Sequence, residues 1–268
     1  MVLIETVGNP SLELPDLPKI IELCKQYETL LVVDNTVTPL TLRPLEMGAD
    51  IVIHSTTKAM SGHSAALGGV AVFRALQEHD KLHHQKYAQL HPIVNKMKKK
   101  AMIAIAKKRA MRDIGMSPNA YGSFLTMLGL ETLALRLQRV HTSIPKVVKI
   151  LEEKLPSNIK VSHPSLKSNK YNQRFKSDFH SACGPIITLE CENKESAFRL
   201  LNKLKLVTQT ANIGDNRTLA LHMASTIYRD FDKNTQKYLG VTEGLIRISM
   251  GIEDPQTIAE DFLQACTN

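Results

Sequence analysis

Short apolar runs rich in β-branched residues recur in the first part of the chain and predict the strands of a buried, parallel sheet. The runs lie at 2–6, 30–33 and 50–54, and residues 68–73 predict a further strand of the same sheet. Asp16, followed by Leu17 and Pro18, predicts a helix that begins there and ends near Tyr27. Because this helix lies between the first two runs, the segment is predicted to be a βαβ unit.

The middle of the chain has the spacing of helices rather than strands. Residues 75–113 are polar and predicted to be helical, and residues 123–155 predict a long helix that links two domains and is interrupted near Pro145. Its predicted packing residues are Leu125, Leu128, Leu133, Leu135 and Leu137.

The last part of the chain alternates between strand and helix patterns. Strands are predicted at 185–189 and 245–250, and helices at 194–204 and 255–265. We therefore predict an α/β protein with a first domain at 1–135 and an α+β second domain at 136–268.

The chain has 268 residues and a formal net charge of +8, which is concentrated in one segment. Residues 96–112 hold eight basic residues and no acidic one, so the rest of the chain is balanced. We interpret this segment as an amphipathic helix with a basic solvated face and an apolar stripe formed by Ile103, Ala106, Ala110 and Ile114. Because the segment lacks aromatic residues and a recognisable module, nucleic acid is not predicted to be a partner.

The remaining composition, with 43% hydrophobic residues, is that of a globular protein. No apolar run is long enough to span a membrane, and the N-terminus lacks the pattern of a signal peptide, so we expect a cytoplasmic location and no membrane partner. The cysteines form no Cys-x-x-Cys pair and are predicted to be reduced thiols. They are Cys24, Cys183, Cys191 and Cys266. His79 and His83 have zinc-like spacing, but further ligands are not evident, so these histidines are predicted to lie on the surface and no metal site is predicted.

Two of the apolar runs end in residues that carry chemistry. Asp34 follows the second run, and Ser55, Thr57 and Lys58 follow the third, so all four are predicted to lie at the ligand-binding edge of the sheet. A lysine amine can hold pyridoxal phosphate (PLP) as a Schiff base, a carboxylate can keep its ring nitrogen protonated, and hydroxyl groups can donate to its phosphate. Each residue alone also fits a turn or a solvated surface, but the combination is far more specific.

Several longer motifs accompany these residues. They are Glu5-Thr6-Val7-Gly8-Asn9-Pro10, Val33–Thr36, Gly48–Lys58, Ser61-Gly62-His63, Leu67-Gly68-Gly69, Ala211–Asp215 and Leu245–Glu253. Together they resemble the cysteine/methionine metabolism family of PLP enzymes, from Glu5 almost to the C-terminus. Within that family, the segment around Asn212 is most similar to O-acetylhomoserine sulfhydrylases. The resemblance implies the fold of type I PLP-dependent transferases, similar to aspartate aminotransferase, with a truncated large domain and an α+β C-terminal domain.

The resemblance also implies roles for individual residues. Lys58 would hold the cofactor, Asp34 would contact its ring nitrogen, and Ser55 and Thr57 would contact its phosphate. Asn9 would contact the 3′-oxygen of the cofactor. The α-carboxylate of the substrate would be bound by Asn212 and Arg247, although the Asn-x-Gly-Asp sequence at residue 212 also fits a helix-capping turn.

The activity implied by the resemblance is γ-replacement on an O-acylated homoserine, which forms homocysteine or methionine. Lys58 would act as a base at Cα and Cβ, with its pKa lowered by burial and a nearby cation. Within this enzyme class, cystathionine γ-synthase or γ-lyase is the alternative. The resemblance implies a homo-oligomer, either a dimer or a tetramer, in a protein that binds an amino-acid substrate.

In the family, a glycine turn that binds the phosphate and an aromatic ring that stacks on the cofactor precede the part that matches this sequence. The alternative of another class is therefore a catalytically inactive fragment or a partner subunit that a complementing chain completes.

Overall fold

A computed structural model describes residues 1–76, 93 and 96–267. In this part of the chain, the first sheet has four strands in the order β1-β2-β3-β4. The strands are β1 (Val2–Glu5), β2 (Leu31–Asp34), β3 (Ile51–Ser55) and β4 (Gly69–Phe73). The first three strands are parallel and β4 is antiparallel to β3. The sequence prediction of a parallel core with a further strand in the same sheet is thus confirmed.

The predicted βαβ unit is formed by β1, helix α1 (Leu17–Gln26) and β2. The carboxylate of Asp16 accepts a hydrogen bond from the backbone N–H of Lys19 and caps the helix, as its position in the sequence predicts. The buried side of α1 presents Leu17, Ile21 and Cys24 to the apolar residues of β2. This packing fixes β2 beside β1 and brings the ends of both strands to one edge.

The described helices beyond α1 divide between the two halves of the chain. They are α2 (Pro44–Met47), α3 (Ala101–Ile105), α4 (Arg112–Ile114), α5 (Ala120–Glu131), α6 (Leu133–Lys154), α7 (Asn172–Ser177), α8 (Lys194–Lys203), α9 (Lys233–Tyr238) and α10 (Pro255–Cys266). A π-helical turn at Ala106–Met111 joins α3 to α4, and a 3₁₀ turn at Lys98–Lys100 precedes α3.

The predicted apolar stripe of the basic segment is wrong. Ile103 and Ile114 are exposed, whereas the buried residues of the segment are Ala101 and Met102, which belong to a small cluster with Leu76. The π-helical turn explains part of the difference, because it adds a residue to one turn and rotates the positions that follow away from a regular helical spacing. The prediction of a basic solvated face is confirmed for the residues whose side chains are described, at Lys107, Lys108 and Arg109 among others.

The predicted long helix is interrupted at Thr132, not near Pro145. Helix α6 continues through Pro145 because the neighbouring positions Ile144, Val147 and Val148 are buried in the core of the second half. That packing offsets the backbone hydrogen bond that proline removes. The boundary at residue 135 falls in the first turn of α6 and stays a prediction.

Three of the five predicted packing leucines are not buried, and one of them, Leu125, is half-buried. Leu133 and Leu137 are buried, but Leu128 and Leu135 are exposed. Helix α5 is apolar on all sides, and its buried positions are glycines rather than leucines. A Cβ at Gly129 would lie 2.4 Å from the carbonyl oxygen of Ser61, so the close contact requires glycine and directs the larger side chains away.

The second sheet has the order β5-β6-β9-β8-β7 among the described residues. Its strands are β5 (Lys160–Ser162), β6 (Ile186–Glu190), β7 (Thr208–Gln209), β8 (Leu219–His222) and β9 (Leu245–Ser249). The helices α6, α8 and α10 supply most of the apolar residues packed on this sheet, and Phe262 on α10 is completely buried. The predicted strands near 185–189 and 245–250, and the helices near 194–204 and 255–265, are confirmed to within about two residues.

The four cysteines carry no disulfide, and Cys24, Cys183 and Cys191 are buried, as predicted for reduced thiols. Across the described ranges, no helix has the length and apolar character needed to cross a membrane. Likewise, no group of three or more potential ligands there is arranged to hold a metal ion. The histidines at 79, 83, 84 and 91 lie outside the described residues, so their surface location stays a prediction.

A buried histidine in the second half makes stability depend on pH. His163 accepts a hydrogen bond from the backbone N–H of Ser165 at Nδ1, and its Nε2 lies 3.4 Å from Cys183 Sγ. Burial, and then the nearby His141, lower the pKa of His163 to about 3. The imidazole is therefore neutral in the folded protein, and protonation in the unfolded state opposes folding below pH 6.5.

We expect the free energy of unfolding to fall by about 1.4 kcal/mol per pH unit from this group alone as pH drops from 6.5 toward 3. In His163→Asn, urea unfolding between pH 6.5 and 4.5 should show a slope smaller by that amount than in the wild type, with substitution of the exposed His180 by Asn as the matched control. A wild-type slope in His163→Asn would contradict the assignment of a neutral, buried imidazole.

Candidate active site

The carboxyl ends of the parallel strands form the first part of the site. Glu5 at the end of β1 pairs in register with Asp34 at the end of β2, and β3 ends beside them at Ser55. Partial burial, and then the charge of Asp34, raise the pKa of Glu5. The carboxyl groups of Glu5 and Asp34 therefore lie side by side at this edge. Of the two, Asp34 is a predicted site residue and Glu5 is not.

Thr36 fixes the relative positions of the predicted residues at this edge. Its backbone N–H donates to Asp34 Oδ1 at 2.9 Å, and its hydroxyl oxygen accepts from the backbone N–H of Ser55 at 2.8 Å. The first bond orients the carboxylate, and the second ties the end of β3 to the loop after β2. Hydrogen bonds of the Asp34 and Thr36 side chains thus join the two strand ends beyond the last paired residues of the sheet.

Lys58 lies in a π-helical turn, Thr56–Met60, that follows β3 directly. Its backbone has φ −87° and ψ −131°, which breaks the helical path at this residue. The carbonyl of Lys58 accepts from the backbone N–H of Gly62 at 2.9 Å. The irregular backbone coincides with Lys58, the residue predicted to hold the cofactor. Irregular backbone of this kind is frequent at functional sites.

Arg136 on α6 holds this turn from behind. Its guanidinium donates to the carbonyl oxygens of Ala59 at 2.8 Å and Gly129 at 2.7 Å, and its Nε donates to the hydroxyl of Thr132 at 3.1 Å. One buried side chain therefore connects the Lys58 turn, the end of α5 and the start of α6. This connection also accounts for the break between the two helices at Thr132.

The second sheet supplies the opposite wall of the site. The loop between β7 and β8 packs on the Lys58 turn, and a Cβ at Gly214 would lie 2.7 Å from the backbone nitrogen of Ala59. Gly214 has a φ of +71°, so both its conformation and its close contact require glycine. This contact brings Asn212, two residues earlier in the loop, to the side chain of Lys58.

Lys58 and Asn212 are hydrogen-bonded, with 2.8 Å between Lys58 Nζ and Asn212 Oδ1. Burial, and then the charge of Arg247, lower the pKa of the Lys58 ammonium. A lysine with a lowered pKa is more easily freed of its proton, which is the property that a nucleophile or a base needs.

Arg247 on β9 is buried, with 2% of its surface exposed, and lies in the same network. It donates to Asn9 Oδ1 at 3.1 Å and to the backbone oxygen of Asn212 at 3.2 Å. Its Nε has no hydrogen-bond partner among the described residues. Burial lowers the pKa of Arg247 to about 10, and a buried cation with an unused donor is typical of a site for an anionic ligand.

Of the predicted site residues, Asn9, Lys58, Asn212 and Arg247 are linked by hydrogen bonds, and Asp34 and Ser55 lie at the adjoining sheet edge. Thr57 stands apart from this network because its hydroxyl is engaged with the backbone of Gly68, accepting from the N–H at 3.0 Å and lying 3.3 Å from the carbonyl.

Sequence reasoning missed several residues of the site. Glu5 ends a predicted strand, so the rule that selected Asp34 could have selected it as well. Tyr228 donates from its hydroxyl to the backbone oxygen of Asn9 at 3.0 Å, and Ser64 accepts from Asn212 Nδ2 at 2.7 Å. Neither these two residues nor Arg136 carries a local sequence signal, because each is brought to the site by contacts distant in the sequence.

The fold is that of the type I class of PLP-dependent enzymes. The chain belongs to the Cys/Met metabolism PLP-dependent enzyme family, whose model matches residues 1–267. A relative named homocysteine synthase, from Schizosaccharomyces pombe, is 33% identical over 275 residues, which cover 98% of this chain and 64% of the relative.

Two solved structures are similar over the same range. One, from Campylobacter jejuni subsp. jejuni, is provisionally named an O-acetylhomoserine (thiol)-lyase and contains a pyridoxyl-lysine monophosphate; it has a TM-score of 0.89 and 29% identity over 98% of this chain and 65% of its own. The other, cystathionine γ-lyase CalE6 from Micromonospora echinospora, has a TM-score of 0.81 and 30% identity over 100% of this chain and 64% of its own. The chain thus spans slightly less than two thirds of the length of these proteins.

The position of Arg136 leads to a prediction about the Lys58 turn. In Arg136→Met, at least two buried carbonyl groups lose their donor, which should cost about 2–5 kcal/mol of unfolding free energy. Hydrogen exchange at residues 56–62 should also become faster than in the wild type. The matched control is Arg139→Met, which removes an exposed guanidinium that also donates to two backbone oxygens and should cost below about 1 kcal/mol. Equal effects in the two variants would contradict the role assigned to Arg136.

Proposed function

We propose that this chain carries out PLP-dependent γ-replacement on an O-acylated homoserine and forms homocysteine or methionine. The observation that carries the proposal is the convergence of Lys58 and Arg247 on Asn212, where the hydrogen bonds of Arg247 to described residues go to uncharged oxygens. The similarity to a homocysteine synthase and to an O-acetylhomoserine (thiol)-lyase supports this choice of reaction.

The residues of the site fit the proposed cofactor. Lys58 supplies the amine, Asp34 the carboxylate for the ring nitrogen, Asn9 an amide for the 3′-oxygen, and Ser55 and Thr57 the hydroxyls for the phosphate. Bound PLP would supply the electron sink that makes the Cα hydrogen of an amino acid acidic. The Thr57 hydroxyl lies 3.3 Å from the carbonyl oxygen of Gly68, which is long for a hydrogen bond. To donate to a phosphate, the hydroxyl would turn its proton away from that carbonyl.

The substrate would be oriented by Arg247 and Asn212. A buried guanidinium with an unused N–H binds a carboxylate with defined geometry, whereas a flexible ammonium does not. Asn212 would add its amide to the same carboxylate. Lys58, which lies 2.8 Å from Asn212, would then be beside the Cα of the substrate and would move the proton there.

The reaction requires a neutral Lys58 amine at working pH. The pKa of Lys58 is shifted in this direction because burial and the positive charge of Arg247 both disfavour the ammonium. Binding a substrate carboxylate would neutralise Arg247, so the pKa of Lys58 should rise toward its ordinary value as substrate binds. The arrangement therefore favours removing the lysine proton before the substrate carboxylate arrives.

A γ-elimination is the second candidate, and it is supported by the similarity to the cystathionine γ-lyase structure. We further propose a cytoplasmic homodimer or homotetramer, or an assembly with a complementing chain, in which the two predicted domains at 1–135 and 136–268 enclose the site. The alternative is a catalytically inactive fragment or partner subunit, which is consistent with the 64% coverage of the relatives.

We expect added PLP to become attached to Lys58. Reduction of the mixture with borohydride should give a chain heavier by one pyridoxyl phosphate, and peptide mass spectrometry should locate it on Lys58. Lys58→Ala should show no such label, while Lys146→Ala, which removes an exposed lysine on α6, should label as the wild type does. Well-folded wild type without a label at Lys58 would refute PLP binding by the isolated chain.

Product analysis distinguishes the reactions. With O-acetylhomoserine and sulfide we expect homocysteine, and in Arg247→Lys we expect kcat/KM lower by about 10- to 100-fold because a charge-assisted pair of hydrogen bonds is lost. Faster turnover with O-succinylhomoserine and cysteine would favour the γ-synthase reaction, and release of a 2-oxo acid from cystathionine would favour the γ-lyase reaction. No turnover by a chain that carries PLP on Lys58 would support the partner-subunit alternative.

A further inference from the structure

A line of hydrogen bonds connects Lys58 to a buried carboxylate through two uncharged side chains. Asn212 accepts from Lys58 at Oδ1 and donates from Nδ2 to Ser64 Oγ at 2.7 Å. The hydroxyl of Ser64 in turn donates to Asp215 Oδ2. The side chain of Asp215 is fully buried, whereas Ser64 is exposed on the rim of the site.

The chemistry of the two ends determines the direction of this line. A lysine ammonium only donates, and a carboxylate only accepts. The carboxylate of Asp215 thus takes the single proton of the Ser64 hydroxyl and leaves the hydroxyl oxygen to accept from the amide nitrogen of Asn212. The amide can then present only its oxygen to Lys58. If Ser64 could donate to Asn212 instead, the amide could turn and direct its nitrogen at the lysine.

Asp215 is fixed independently of Ser64. Its Oδ1 accepts from the backbone N–H of Arg217 at 2.8 Å and from Arg217 Nε at 3.0 Å. Although burial raises the pKa of Asp215, the hydrogen bonds from Arg217 and Ser64 outweigh it and hold the pKa below its ordinary value. The carboxylate is therefore ionised near neutral pH and remains an acceptor.

We propose that Ser64 and Asp215 are positioning residues that keep the amide oxygen of Asn212, and not its nitrogen, directed at Lys58. This deepens the proposed function, on which its relevance to turnover rests, but the hydrogen bonds exist in the protein without cofactor. The amide orientation stabilises the ammonium form of Lys58, because a hydrogen bond to the charged form favours that form. The positive charge of Arg247 on β9 acts in the opposite direction and lowers the pKa of Lys58. Arg136 on α6 and Arg217 offset the negative charge of Asp215.

The test measures the reactivity of Lys58 in the cofactor-free protein. Trace acetylation over a range of pH, followed by peptide mass spectrometry, gives an apparent pKa for Lys58, with the exposed Lys146 as an internal reference. In Ser64→Ala we expect the apparent pKa to fall by ~0.5 unit, which raises the acetylation rate about threefold at a fixed pH below it. Ser64→Thr keeps the hydroxyl and should behave as the wild type.

Asp215→Asn provides the sharper comparison. The new amide at residue 215 could donate to Ser64 and reverse the direction of the hydrogen bonds. We therefore expect the apparent pKa of Lys58 to fall by the same amount as in Ser64→Ala. Because both changes act through the orientation of Asn212, the double variant should show no further fall in the apparent pKa of Lys58. Additive shifts would overturn the proposal, since Asp215 would then act through its charge alone, and an unchanged pKa in Ser64→Ala would overturn it as well. Failure to bind PLP with the shifts intact would refute the proposed function and leave this inference standing.

Discussion

Two cations, Lys58 and Arg247, meet at one neutral residue, Asn212, and the site depends on how their like charges are accommodated. Asn212 accepts from Lys58 with its side-chain oxygen and from Arg247 with its backbone oxygen. Each cation gains a partial negative charge without a carboxylate that would bind it permanently. Burial lowers the pKa of each, the charge of Arg247 lowers that of Lys58 further, and Arg247 Nε has no hydrogen-bond partner among the described residues. A site that leaves positive charge uncompensated favours an anionic ligand.

The meeting point exists because the backbone segments approach each other unusually closely. Glycine is required at the contacts of the Lys58 turn with α5 and with the loop that carries Asn212, at Gly129 and Gly214. Arg136 adds hydrogen bonds to carbonyl groups there, beside an apolar cluster of Ala59, Leu133 and Leu137. The turn is thus rigidly held by polar contacts on one side and open to solvent and ligand on the other, which suits a lysine that must react at a defined position.

The sequence predicted the parts that follow from local rules. The strand ends, the cap at Asp16 and the co-location of Asp34 with Ser55 follow from periodicity and from the common edge of parallel strands. The errors arose where tertiary contacts override local pattern: α5 buries glycines in place of Leu128, and core packing carries α6 through Pro145. Ser64, Tyr228 and Arg136 were missed because their partners lie about 70 to 220 residues away in the chain.

The distribution of charge across the site adds a constraint that single residues do not reveal. Glu5 and Asp34 lie side by side at the ends of β1 and β2, whereas Lys58 and Arg247 lie where the two sheets meet. A molecule that is positive at one end and negative at the other matches this separation, because each end meets the opposite charge. A protonated pyridine ring with anionic substituents has this polarity, and in the proposed function an amino-acid carboxylate would complete it at Arg247. Partial burial, and then the adjacent charge of Asp34, raise the pKa of Glu5, so a cation that binds at this edge would be stabilised by the carboxyl groups.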